Sequence, residues 1–119
     1  MSTVALTEDT FAQGIADGVV LVDVWGSGCI PCRQFHPIFE DAAQRHPDAT
    51  FATLFADDNL NLVGALRVNT VPTVLVFRDG VLVYRHCGLI KGAALDELVA
   101  QVSALDMDEV RRGLHQDGR

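Results

Sequence analysis

Cysteine is scarce in this chain, with three residues in 119. That is a poor number for a disulfide framework, and one close pair plus a distant thiol suits a reducing compartment better. Long apolar runs are missing as well. The longest, Val19 to Val22 and Val74 to Phe77, have strand length and fall far short of a membrane span. Basic residues are few: nine Lys and Arg stand against 16 Asp and Glu, giving a formal charge of −7 without any basic cluster. That balance argues against nucleic acid as a partner. Met1 to Phe11 has neither a basic flank nor an apolar signal region, so export is not expected and the reading is cytoplasmic. Repeats, low-complexity stretches and internal linkers are absent too. What remains is one domain, 49% apolar and large enough for a single core.

Its elements can be read from periodicity. Thr7-Glu8-Asp9 is predicted to cap a first helix with acids in its first turn, burying Phe11, Ile15 and Ala16, and Gly18 stops it. Val19 to Trp25 reads as a fully buried strand. From Cys32, the residues Phe35, Ile38, Phe39, Ala42 and Ala43 recur at helical spacing, with Pro37 predicted to kink the helix. Thr50 to Ala56 reads as a strand and Leu60 to Leu66 as a short helix. Thr73 to Phe77 and Val81 to Tyr84 form a hairpin around Asp79-Gly80. Ala94, Leu95, Leu98, Val99, Val102 and Leu105 mark a last amphipathic helix. A helix between buried strands, then a hairpin, then a helix, gives an α/β class with a mixed, centrally buried sheet.

The chemistry concentrates in Asp23-Val24-Trp25-Gly26-Ser27-Gly28-Cys29-Ile30-Pro31-Cys32. A buried strand delivers a Cys-x-x-Cys pair to the start of a helix. There, unpaired N–H groups and the helix dipole favour a thiolate on the first cysteine. Reversible thiol chemistry is the leading reading.

Five features together resemble the thioredoxin family over roughly residues 4 to 105. They are Asp23 in the strand, Trp25 after it, Cys29-Ile30-Pro31-Cys32, Val71-Pro72-Thr73 before the fourth strand, and Gly88 after the fifth. The resemblance implies a thioredoxin fold, with a central mixed five-stranded sheet flanked by about four helices. Residues 1–105 are the expected domain, and 106–119 a C-terminal extension, helical and then frayed. It implies a protein-disulfide reductase working by exchange through Cys29 and Cys32. Cys29 is then the nucleophile, Cys32 the resolving thiol, and Asp23 a carboxyl of raised pKa passing a proton to or from Cys32. Trp25, Ile30, Pro31, Val71, Pro72 and Gly88 are the implied substrate surface, with a cis Val71-Pro72 bond facing Cys29. No cofactor beyond the redox disulfide and no metal is expected. The implied partners are disulfide-containing client proteins and a thioredoxin reductase or other dithiol donor, with the chain a monomer. The alternative is a thioredoxin-fold binding or chaperone module with little turnover.

Departures from the family pattern are as informative. The usual Trp-Cys-Gly-Pro-Cys is here Gly28-Cys29-Ile30-Pro31-Cys32, so an aromatic wall is lost and a branched side chain stands where Gly is usual. Gly28 is expected to add mobility. Thr53 takes the strand position of a Lys that commonly neighbours the buried Asp, which should push the Asp23 pKa further up. Cys87 is read first as an inert buried thiol, and alternatively as a regulatory site at the substrate rim. Cys29, Cys32 and His36 have three-ligand zinc spacing, but a structural site wants four. His46, His86 and His115 are expected in solvent. Asp57-Asp58 is expected to be a solvated loop end.

Overall fold

The structure, a computed structural model, describes residues 2–117. Five strands form one sheet: β1 Val4–Leu6, β2 Val19–Trp25, β3 Thr50–Phe55, β4 Thr73–Arg78 and β5 Val81–Cys87, in the order β1-β3-β2-β4-β5. β3 runs parallel to both β1 and β2, while β4 runs antiparallel to β2 and β5. The helices are α1 Phe11–Gly14, α2 Ile30–Arg45, α3 Leu60–Ala65, α4 Gly92–Ser103 and α5 Met107–Asp117.

Alternation along β2 divides the core. Val19 and Leu21 face α2 and α4, joining Phe35, Phe39, Leu95 and Leu98. Val20, Val22 and Val24 face the other way, toward Leu6, Phe11, Val63 and Phe77. Asp23 shares the parity of Leu21, so its carboxyl lies on the α2 face. Both faces of β2 are covered, which is why its sequence reads as a nearly unbroken apolar run. Phe35→Ala would empty a fully buried ring site. It is expected to cost about 3–5 kcal/mol, seen as a lower urea midpoint at unchanged slope.

The hairpin forms where expected. Asp79 and Gly80 both have positive φ (53° and 83°), the geometry of a two-residue primed turn. Asp79 also ties the turn to the entry of β2, its carboxylate accepting the Gly18 N–H at 2.9 Å.

The start of the chain differs from the sequence reading. α1 is a single turn capped at Thr10, not Thr7, with no acid in its first turn. The Thr10 hydroxyl accepts the Thr7 N–H at 2.9 Å, making a turn of the segment read as a helix start. Phe11 is buried, Ile15 only half-buried and Ala16 exposed. α2 continues through Pro37. Ala56 ends outside β3, in a short 3-10 turn. Beyond α4 the chain forms α5, its first turn capped by Asp106, whose carboxylate accepts the N–H groups of Asp108 and Glu109. The frayed end expected after it lies outside the described residues.

Candidate active site

The site is built at the C-terminal end of β2, where the chain turns into α2. Gly26, Ser27 and Gly28 make that turn. Gly28 adopts φ +69°, a conformation an L side chain rarely takes, so backbone geometry favours glycine there. The turn is anchored from the 3-10 turn that follows β3. Ser27 Oγ donates to Asp57 Oδ2 at 2.5 Å, and Ser27 N–H reaches Oδ1 at 3.5 Å. Asp57 is thus a fastener for the active-site loop, not merely a solvated loop end. Sequence reading missed it because the two residues are thirty apart and belong to no motif.

Cys29 is the N-cap of α2, and Cys29 and Cys32 are joined as a disulfide. Cys29 Sγ accepts the N–H of Cys32 at 3.1 Å and lies 3.7 Å from the Val71 carbonyl oxygen. An N–H aimed at this sulfur, at the positive end of a sixteen-residue helix, favours its anionic form once the disulfide opens. Cys29 is half-buried, whereas Cys32 is only 5% exposed, with its side chain inside the first turn. The two thiols are therefore inequivalent in access as well as in electrostatics.

The Val71-Pro72 peptide is cis. Pro72 itself is buried and its carbonyl accepts the Gly88 N–H at 2.8 Å, so Val71 is what this loop presents beside Cys29. Gly88 sits at φ +95°. On the other flank, Ile30 is 65% exposed and Trp25 is 37% exposed, its ring 4.4 Å from that of Phe55. Pro31 is exposed too. Of the residues expected at the substrate surface, Val71 stands beside the Cys29 sulfur and Ile30 follows it in sequence, while Pro72 supports the rim from beneath.

Asp23 lies on the inner side. It is 1% exposed, and its Oδ1 has no hydrogen-bond partner among the described residues. Burial pushes its pKa from 3.8 up to about 7. Parallel pairing sets Asp23 opposite Thr53, and no cation stands there. Asp23 and both cysteines line one cavity of about 440 Å³, together with Arg33 and His36 among others.

Against known proteins, the family model described as Thioredoxin matches residues 2–104. The chain belongs to the thioredoxin family. It is 38% identical over 114 residues to a putative thioredoxin 2 of Streptomyces coelicolor, covering 95% of this chain and 85% of that one. It is also 34% identical over 100 residues to the thioredoxin of Bacillus subtilis, covering 83% and 96%. Among solved structures, a mutant thioredoxin from Halobacterium salinarum superposes with a TM-score of 0.81 at 29% identity, covering 87% and 93%. With its Cys-x-x-Cys pair bonded, the protein is a thiol-disulfide oxidoreductase that reduces protein disulfides. Thioredoxins need no cofactor beyond that disulfide, and they act between disulfide-containing substrates and a reducing donor.

Other candidates fall differently. Cys87 is free and exposed at the end of the edge strand β5, which overturns its reading as a buried thiol. His46 is not simply in solvent: its Nε2 lies 2.6 Å from Asp96 Oδ1 and its ring stacks near Phe51. Those contacts, led by the His46 hydrogen bond and joined by Arg45, hold the Asp96 pKa below its ordinary value. His86 is half-buried, its ring Nε2 3.0 Å from the Leu89 carbonyl. The side chain of His115 lies outside the described residues.

Proposed function

We propose that Cys29 attacks the client disulfide, Cys32 resolves the mixed disulfide, and Asp23 exchanges the proton with Cys32. The observation that carries this assignment is the asymmetry of the pair. Cys29 is half-buried and accepts an N–H at the helix start, while Cys32 is buried and shares a cavity with the Asp23 carboxyl, whose Oδ1 has no partner among the described residues. Insulin-disulfide reduction driven by a dithiol tests the activity: turnover well above the dithiol alone is expected, and none would reject the assignment.

Trp25, Ile30, Pro31, Val71 and Gly88 form the client-facing surface in this reading, with Pro72 holding the rim. The working domain spans residues 1–105, supported by the family match over 2–104, and α5 is an addition to it. The protein acts as a cytoplasmic monomer.

Ile30 narrows the range of partners. Its exposed branched side chain stands next to Cys29, where a docking protein must make close contact. A steric conflict there costs on the order of 1–3 kcal/mol, or roughly 5- to 150-fold in rate. Turnover by a general flavin-dependent thioredoxin reductase is expected to be weak, while a small dithiol reduces the protein normally. Ile30→Gly should recover much of that turnover. Restoring an aromatic at Gly28 is the wrong repair, because a side chain at φ +69° is strained whatever the space around it. Full activity of the unmodified protein with such a reductase would reject the steric argument.

A further inference from the structure

The proposed client surface meets the exposed side of Cys29, and a cavity that shares Trp25 with it reaches in to Asp23. The cavity of about 440 Å³ is bordered by both cysteines, and its size falls in the range of small-ligand sites. Its polar equipment is sparse and directional. β2 supplies the Asp23 carboxyl, with one oxygen unpartnered among the described residues. α2 supplies Arg33 and His36, while β1 and β3 contribute Ala5 and Thr53, which carry no charge. Trp25 completes an apolar wall. The Thr3 side of the opening is held to α2 by Glu40, whose carboxylate accepts the Ser2 N–H and, at 3.0 Å, the Thr3 hydroxyl.

A proton acceptor and a disulfide, with the exposed Arg33 cation and the apolar Trp25 and Ala5 lining the same cavity, define a ligand. It needs an ionisable S–H at one end, a body of a few carbons, and an anion at the other. We propose that this cavity is a binding site for low-molecular-weight thiols bearing a carboxylate, and that such a thiol can reduce the Cys29–Cys32 disulfide from within it. The proposal rests on the reading of that disulfide as the redox centre.

The steps balance as follows. The bound thiol gives its proton to the Asp23 carboxylate, and its sulfur attacks Cys29 Sγ. The Cys29–Cys32 bond breaks, and Cys32 leaves with the electron pair and takes the proton from Asp23. A second thiol attacks the small molecule's sulfur in the mixed disulfide. That expels Cys29, which takes the second proton. Two thiols are oxidised to one small disulfide, and the protein disulfide is reduced by two electrons. Arg33, always charged, holds the ligand's carboxylate during the first step.

The test measures reduction of the oxidised protein through Trp25 fluorescence. Three monothiols of similar size are compared: 3-mercaptopropionate, 2-mercaptoethanol and cysteamine, each rate corrected for its thiolate fraction. The anionic thiol should saturate in the roughly millimolar range, and the neutral and cationic thiols should stay linear in concentration. Arg33→Gln should raise the half-saturating concentration about tenfold, the loss of one charge-assisted contact. Linear dependence for all three thiols, or saturation unaffected by Arg33→Gln, overturns the proposal. Dithiothreitol reduction of the same sample keeps the readings apart: if it opens the disulfide and supports insulin reduction, the redox assignment stands whatever the monothiols do.

Discussion

Cys29→Ser is expected to bring insulin-disulfide reduction down to the uncatalysed background, while Cys32→Ser accumulates a stable mixed disulfide through Cys29. The difference follows from where the helix begins. Cys29 is the N-cap, so its sulfur meets the N–H of Cys32 and the positive end of α2. Only a thiolate attacks a disulfide sulfur, and this environment favours one. Cys32 sits inside the first turn with little exposed surface, which lets it reach a sulfur already bound to Cys29 but not an incoming protein. Iodoacetamide should therefore label Cys29 of the reduced protein fastest. Cys87, being exposed, will also react, though no helix terminus assists it, so the comparison is best made in a Cys87→Ser background. Faster labelling of Cys32 there would invert the two roles.

The features of this site that were legible in the sequence are those encoded locally. Val19 to Trp25 is apolar on both faces because β2 is the central strand, and Asp23 interrupts it conspicuously. Asp79-Gly80 needs positive φ at both positions, which few residues tolerate, so the turn can be placed without the rest of the fold. The Asp23–Thr53 pairing was also readable, since the strand positions could be matched to the family pattern. What escaped depends on long-range packing. β1 is three residues long and exists only by parallel pairing with β3, too short to leave a period. The Asp57 fastener joins two loops that are neighbours only in the fold. Cys87 was misread because strand ends are buried or exposed according to their place in the sheet, and β5 is an edge. Gly28 leaves no periodic signal, and only its positive φ shows why a glycine stands there. The cavity is made by side chains from four separate elements, so no single segment announces it.

Asp23→Asn is expected to stabilise the oxidised protein at alkaline pH and to leave it nearly unchanged in acid. The folded pKa is about 7 against an ordinary 3.8, raised by burial, so the folded state holds this proton more tightly than the unfolded one. Below about pH 4 the group is protonated in both states and contributes no penalty. As pH rises from about 4 to about 7 the unfolded chain ionises first, and folding stability falls. Above about pH 7 the penalty is complete, on the order of 4 kcal/mol by the size of the shift. The substituted amide finds no better partner in the same cavity, so about 2–4 kcal/mol should be recovered. Urea denaturation of the oxidised wild type and variant at pH 3.5 and pH 8.5 measures this, and taking the difference at each pH cancels the other carboxylates. The same variant should release the mixed disulfide more slowly, because Cys32 loses its proton partner. Stability and turnover therefore move in opposite directions, as expected where a buried charge is kept for chemistry rather than for folding. A stability difference that does not change with pH, or an Asp23 titration midpoint near 4 by NMR, would show that burial does not raise the pKa of this carboxyl.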